Sequence, residues 1–313
     1  MPVMPRKIIL DCDPGHDDAV AILLAHATPA VELLAITTVA GNQTLEKTTL
    51  NARRICTLAG ITDVPIAAGS SQPLVRDLRV AHDIHGESGL DGPTFGEPTV
   101  PVDDRHAVDL IVELVRTHAG EVTIVPVGPL TNVAAALQRD PGLAALIPEI
   151  VFMGGSTGRG NTTPLAEFNI FDDPEAAQLV LDAEIPMTMI GLNLTHQALA
   201  TPAVIDRIAS LGSPVAVAVR DLMTFFAAAY DNVFGLPDPP VHDPCAVACV
   251  ARPELVRSQD AFVAVETQGR WTAGATVVDL HGVLGHEPNV SVALELDVDG
   301  FWDLVVGALA TYR

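Results

Sequence analysis

Along the first half of the chain, short unbroken apolar runs alternate with stretches whose apolar positions recur at helical spacing. KIILDC reads as a strand and DDAVAILLAHA as a helix; VELLAITTV is the next strand, followed by the helix TLEKTTLNARRICTLAG. Further on, VTIVPV leads into the helix LTNVAAALQ, EIVFM into PEAAQLVLDA, and PMTMIG ends the series. A strand with one wet face alternates apolar and polar residues. These runs do not, so they predict strands covered on both faces. The expected class is α/β: an open, mostly parallel, Rossmann-like sheet with helices on both faces. From about residue 197 the pattern turns more helical, then finishes with the strand-like AFVAVE, TVVDL and SVALELDV and a last helix after Asp299. No repeat or low-complexity linker interrupts it, so residues 1–313 are expected to form a single domain. Two stretches break the rhythm. Residues 69–104 are rich in Gly, Pro, His and Asp, and a loop that long is usually functional or mobile. Residues 235–242, GLPDPPVH, form a stiff connection into the short helix DPCAVACV.

Composition narrows the function. Aromatic residues are only 4% of 313, so Ala, Val, Leu and Ile must build the core, which is large enough to need no staple. A formal net charge of −22 disfavours nucleic acid or an anionic membrane as partner and favours a cation or a neutral substrate. Cys12, Cys56, Cys245 and Cys249 form no Cys-x-x-Cys pair and no zinc spacing, and read as buried thiols. The start, MPVMPRKIILDCD, lacks the features of a signal peptide, and no apolar segment is long enough to span a bilayer; a cytoplasmic protein is expected.

The candidate chemistry lies at strand ends, where open parallel sheets bind ligands. Asp11, Asp13, Asp17 and Asp18 crowd into IILDCDPGHDDA. Such carboxylates repel one another unless a cation or protons intervene. Asp17 and Asp18 also suit the start of a helix, whose free N–H groups and dipole favour acids. Asp173-Pro174-Glu175 reads as a helix start alone. Asp243-Pro244 has the same shape and reads as cap or ligand. Asp11 lies within the strand pattern and is expected to hold a loop from the opposite face. Asp13, followed by Pro-Gly, must turn at the rim. Hard oxygen ligands suit Ca²⁺ or Mg²⁺, and the spacing is not that of an EF-hand. A site gathered from separate strand ends is expected, drawing on Asn42, Val127, residues 153–155 and Asn193.

DCDPGHDDAVAILLA, together with AGN, VPVGPLTN, FMGGS, AEFNIFDDPEAA, GLNLTHQAL and HDPCAVA, resembles the nucleoside hydrolases, Ca²⁺-dependent enzymes that cleave the N-glycosidic bond of ribonucleosides. The motifs follow the family's order from residue 7 to about 250, so the resemblance covers essentially the whole chain. It implies Ca²⁺ ligands at Asp13, Asp18, Asp243 and the Val127 carbonyl, with Asp13 also the general base for the attacking water. It implies ribose contacts from Asp17 and Asn42, from Asn161, Glu167 and Asn169 around the 5′ side, and from Met153. His242 matches the position associated with protonating the leaving base, and His85 a base-side histidine. Phe225, Phe226, Tyr230 and Trp271 are candidates to stack on the base, Tyr230 foremost.

The implied chemistry is coherent. Breaking the bond builds positive charge on the ribose, which carboxylates and amide oxygens stabilise more than the neutral ground state. No Lys or Arg lies in these motifs to welcome a phosphate. A homodimer or homotetramer, and a role in nucleoside catabolism or purine salvage, are implied as well. Two other classes compete. A haloacid-dehalogenase-like phosphohydrolase would make Asp11 the nucleophile, but the Thr and the later acidic element it needs are missing. A non-catalytic ribose- or calcium-binding protein would not need both Asp13 and His242.

Overall fold

The first strand, β1 (Arg6–Cys12), shows how the sheet is sealed: Ile8 and Leu10 enter one apolar core and Ile9 the other, all fully buried. The computed structural model describes residues 4–313. The remaining strands are β2 (Val31–Thr38), β3 (Ile66–Ala68), β4 (Val122–Pro126), β5 (Glu149–Met153), β6 (Met187–Ile190), β7 (Val256–Val265), β8 (Thr276–Asp279) and β9 (Val290–Leu296). They form one sheet in the order β3-β2-β1-β4-β5-β6-β9-β7-β8. Every pair from β3 to β9 is parallel, and β7 then runs antiparallel to both β9 and β8. The expected open, mostly parallel sheet is present.

The helices are α1 (His16–Ala27), α2 (Leu45–Ala59), α3 (His82–His85), α4 (Ala107–Thr117), α5 (Thr131–Arg139), α6 (Phe168–Asp172), α7 (Pro174–Leu181), α8 (Leu192–Thr195), α9 (Pro202–Ala209), α10 (Pro214–Phe234), α11 (Asp243–Ala251) and α12 (Val298–Leu309). Helices α1, α2, α10, α11 and α12 supply one core. Helices α4, α5 and α7 supply the other. Among the described residues no helix is long and apolar enough to cross a membrane. Helix α12 begins earlier than the sequence suggests, because the Asp297 carboxylate accepts the Gly300 amide at 3.1 Å and caps it.

The long irregular segment between β3 and α4 is tied down along its length. Gly69 N–H donates to the Thr38 carbonyl at 2.9 Å, Ser70 N–H to Asn132 Oδ1 at 2.8 Å and Ala81 N–H to the Asn42 carbonyl at 3.0 Å. Asp173, expected only to start a helix, caps α7 and also accepts the Leu74 amide and the Thr131 hydroxyl. Asp11 differs from expectation too. Its Oδ1 accepts Thr37 Oγ1 at 2.6 Å and Asn132 Nδ2 at 2.8 Å, joining β1 to β2 and α5 rather than holding a loop.

Asp11 therefore has a structural duty. Asp11→Ala strands two buried donors and is expected to lower stability by about 2–4 kcal/mol in urea unfolding. Asp11→Asn keeps an acceptor in place and is expected to cost less than about 1 kcal/mol.

Candidate active site

From β1 the chain crosses to β2 on one side, while the next parallel neighbour on the other side is β4. The strand order reverses there, and a crevice opens at the carboxyl ends of β1 and β4. Asp13 follows β1 into this crevice, and Val127 follows β4.

Two glycines let the Asp13 carboxylate fit. A Cβ at Gly41 would lie 2.2 Å from Asp13 Oδ2, and one at Gly128 2.5 Å from Oδ1. Asp13 Oδ2 accepts the Asn42 amide at 2.6 Å, whereas the buried Oδ1 has no hydrogen-bond partner. Asp18 caps its own helix start, accepting the Asp13 amide at 3.1 Å and the Gly15 amide at 2.9 Å. Asp17, one residue earlier, accepts the His242 amide at 3.0 Å, fixing the start of α11 and with it Asp243. Oxygens of Asp17, Asp18 and Asp243 lie within 4.8 Å of one another.

All four carboxylates are buried. Burial first, and mutual repulsion second for Asp13, Asp18 and Asp243, push their pKa values upward, Asp18 to about 7. Asp17 is raised by burial alone against the amide bonds it accepts. A divalent cation that prefers oxygen fits this set: it would relieve the repulsion and give Asp13 Oδ1 a partner. The converging trio includes Asp17, expected to bind ribose, and leaves out Asp13, expected to be a ligand.

Above the carboxylates lies a cavity of about 280 Å³. Asp17, Asn42, His85, Val127, Met153, Asn161, Glu167, Asn169, Tyr230, His242 and Asp243 all line it, while Asp13 and Asp18 are fully buried and are not among its lining residues. Asn169 clamps two strand ends, its Nδ2 donating to the Val127 carbonyl at 2.8 Å and the Met153 carbonyl at 3.1 Å. Glu167 caps α6, accepting the amides of Gly155, Asn169 and Ile170; burial raises its pKa to about 7. Asn161 Oδ1 accepts the Phe168 amide at 3.0 Å.

On another wall, His242 is bonded through both ring nitrogens, Nδ1 to the Thr195 hydroxyl and Nε2 to the Tyr230 hydroxyl, each at 2.8 Å. Burial lowers its pKa to about 4, so the imidazole is neutral near pH 7 rather than a stocked acid. Tyr230 is pushed well above its usual range by burial and by nearby carboxylates, so its phenol keeps its proton. His85 is buried, not loose in its segment, and Phe226 packs against it with ring centroids 5.5 Å apart.

Other expectations fail. Trp271 is 77% exposed with the Arg270 guanidinium over its ring, away from the cavity. Asn193 turns its amide to the Ala293 carbonyl and does not reach the cavity lining. Residues missed in the sequence include Arg79 on the cavity wall, His16 behind His85, and Thr195 behind His242. Thr195 stood in view within GLNLTHQAL, but nothing in the chain order joins it to His242.

A sequence model of the inosine-uridine preferring nucleoside hydrolases matches residues 8–303. The pyrimidine-specific ribonucleoside hydrolase RihA of Shewanella woodyi is 48% identical over 310 residues, covering 99% of each chain. RihA of Escherichia coli K12 is 47% identical, covering 99% of this chain and 100% of its own. Among solved structures, the purine-preferring ribonucleoside hydrolase of Gardnerella vaginalis superposes with a TM-score of 0.92 at 32% identity, covering 98% of this chain and 99% of that one. A plant nucleoside hydrolase, PpNRh1, gives 0.91 at 31% identity with the same coverage.

The glycine cradle of Asp13 is directly testable. Gly41→Ala and Gly128→Ala are each expected to cost about 1–3 kcal/mol. By displacing the carboxylate they should also lower turnover of a ribonucleoside about a hundredfold. Gly96→Ala, where a Cβ meets nothing within 4 Å, should change neither melting temperature nor rate.

Proposed function

The chain belongs to the inosine-uridine preferring nucleoside hydrolase family, and from that membership we propose that it hydrolyses pyrimidine ribonucleosides to free base and ribose with calcium as its metal. Membership itself makes it a ribonucleoside hydrolase acting on N-glycosyl compounds. The pyrimidine preference follows the RihA proteins, which at 46–48% identity are nearer than the purine-preferring structure at 32%.

The observation that carries the mechanism is the divided state of Asp13: one oxygen held by Asn42, the other buried and unpartnered at the strand switch. Asp13, Asp18, Asp243 and the Val127 carbonyl would hold the metal. A calcium ion held there would supply positive charge toward the sugar hydroxyls and the attacking water. The Asp13 carboxylate accepts the proton that the water loses as it attacks C1′. Asp17 and Asn42 bind ribose hydroxyls, while Asn161, Glu167 and Asn169 close around the 5′ side against Met153. As positive charge grows on the ribose, these buried oxygens stabilise it without having to reorganise.

The departing base needs a proton, and the partners of His242 decide its route. Thr195 is fully buried, and its hydroxyl has His242 Nδ1 as its hydrogen-bond partner. If Thr195 only accepted there, its own proton would be buried unsatisfied. It therefore donates to Nδ1. The neutral ring then carries its proton on Nε2 and donates to the Tyr230 oxygen, leaving the Tyr230 O–H free to donate into the cavity. We assign the base-protonating role to Tyr230 backed by His242, rather than to His242 directly.

The wall also favours nucleosides over nucleotides, since Arg79, the single Arg or Lys among the lining residues, is outnumbered there by Asp17, Asp83, Glu167 and Asp243. The phosphohydrolase reading loses support because Asp11 spends Oδ1 on joining β1 to β2 and α5 and does not line the cavity.

Ribose release from uridine, cytidine, inosine and adenosine tests the reading. Uridine and cytidine should lead, chelation should abolish release, and added Ca²⁺ should restore it. Asp13→Ala should lower kcat by about 10²–10⁴-fold. Calcium binding without turnover of any nucleoside would favour the non-catalytic alternative. Tyr230→Phe should lower kcat for uridine by about a hundredfold. It should spare 4-nitrophenyl β-D-ribofuranoside, whose leaving group departs without a proton.

A further inference from the structure

Residues 71–80 run without regular structure from the end of β3 to the cavity wall, and their tethers are few. Among the described residues, the only backbone amides of this segment with hydrogen-bond partners are those of Leu74 and Arg79, and none of its carbonyls accepts a bond. Leu74 N–H donates to Asp173 Oδ2 at 2.8 Å, and Arg79 N–H to Asp172 Oδ1 at 3.2 Å. Between them the Arg76 guanidinium grips the third acid of the same helix start. Its Nε donates to Glu175 Oε2 at 2.9 Å and its Nη2 to Oε1 at 2.8 Å, a two-pronged, charge-assisted bond. Nη2 also donates to the Thr267 carbonyl at 2.6 Å. Every hydrogen bond that anchors residues 71–80 is therefore made to the DDPE of residues 172–175 or to the loop after β7. Apolar contact adds to the hold at Pro73, which is buried, and at Leu74, which packs against the core of α4, α5 and α7.

The segment matters for what it carries. Arg79 and Val80 line the cavity, as do Ala81, Ile84 and His85 directly after them. Ala81 is fixed on the far side by its amide bond to the Asn42 carbonyl at 3.0 Å. The residues assigned to the ribose, Asp17, Asn42, Asn161, Glu167 and Asn169, all lie outside residues 71–85, which leaves this wall to meet the base. We propose that Arg76 is a positioning residue for the reaction: locked onto Glu175 and the Thr267 carbonyl, it sets where the wall from Arg79 to His85 stands against the nucleobase. Arg76 does not line the cavity, so its effect passes through the backbone it holds. The substrate in this inference rests on the nucleoside reading, whereas the anchoring can be read without turnover.

Arg76→Met keeps an apolar stem and removes the fork, while Arg76→Lys keeps the charge without the fork. Hydrogen exchange of the full chain, read by mass spectrometry of peptides covering residues 71–85, should be about tenfold faster in Arg76→Met, with α4 unchanged. With uridine, Arg76→Met should raise KM about five- to thirtyfold, and Arg76→Lys should fall between it and the wild type. Inhibition by 1,4-anhydro-D-ribitol, a ribose ring without a base, should keep its Ki. Unchanged exchange in Arg76→Met overturns the proposal, and so does a KM for uridine that does not move. A Ki that rises as far as KM also overturns it, because the ribose site would then have been lost along with the wall. If the wild type turns over no nucleoside, the exchange result still decides whether Arg76 anchors the wall, and the hydrolase reading alone fails.

Discussion

Four buried carboxylates crowded together are the constraint on which the rest of this molecule depends. Asp13, Asp17, Asp18 and Asp243 each lose hydration, and Asp17 and Asp18 make ionisation of their neighbours harder. A fold can hold such a cluster only if backbone amides, a cation or protons compensate. Here the amides of Asp13, Gly15, Asn42 and His242 do part of that work. They are available because two helix starts and one strand end converge at the point where the sheet order reverses. The site is thus a consequence of topology: a continuous sheet with no reversal would have given Asp13 a neighbouring strand end instead of a crevice.

The same crowding explains why small residues gather there. Gly41 and Gly128 approach Asp13 from the ends of β2 and β4, and Gly15 lies where a Cβ would strike the His85 ring at 2.5 Å. None of the three needs a left-handed backbone; they are small because side chains from other elements fill the volume a Cβ would take. Asp11, two residues before Asp13, shows the complementary use of an acid. It binds a strand hydroxyl and a helix amide, holding β1 in register with the elements that carry Asn42 and Gly128.

Much of this was legible along the chain, for a physical reason. Unbroken apolar runs mark strands covered on both sides, so β1, β2, β4, β5 and β6 could be read directly. The acids follow those runs, and ligands of a parallel sheet gather at its carboxyl ends. What could not be read are contacts between residues far apart in sequence that no periodicity links. Thr195 and His242 meet only because α8 packs beside the start of α11, and the loop that carries Arg79 must return across the sheet ends before Arg79 can border the cavity. Trp271 illustrates the opposite error. A large aromatic in a ligand-binding protein invites a stacking role, but its place beside β8 leaves it exposed. Asp17 is intermediate: its position was readable, but its bond to the His242 amide was not, and that bond brings it among the converging carboxylates.

His242 is not free to choose its tautomer, because it contacts a group with only one satisfactory role. Thr195, buried with a proton to place, turns His242 Nδ1 into an acceptor and points the ring's proton at Tyr230. The Tyr230 oxygen then accepts from His242, and its own O–H is left for the cavity. That polarity is set two residues back from the cavity, among buried groups that cannot turn to water for an alternative partner.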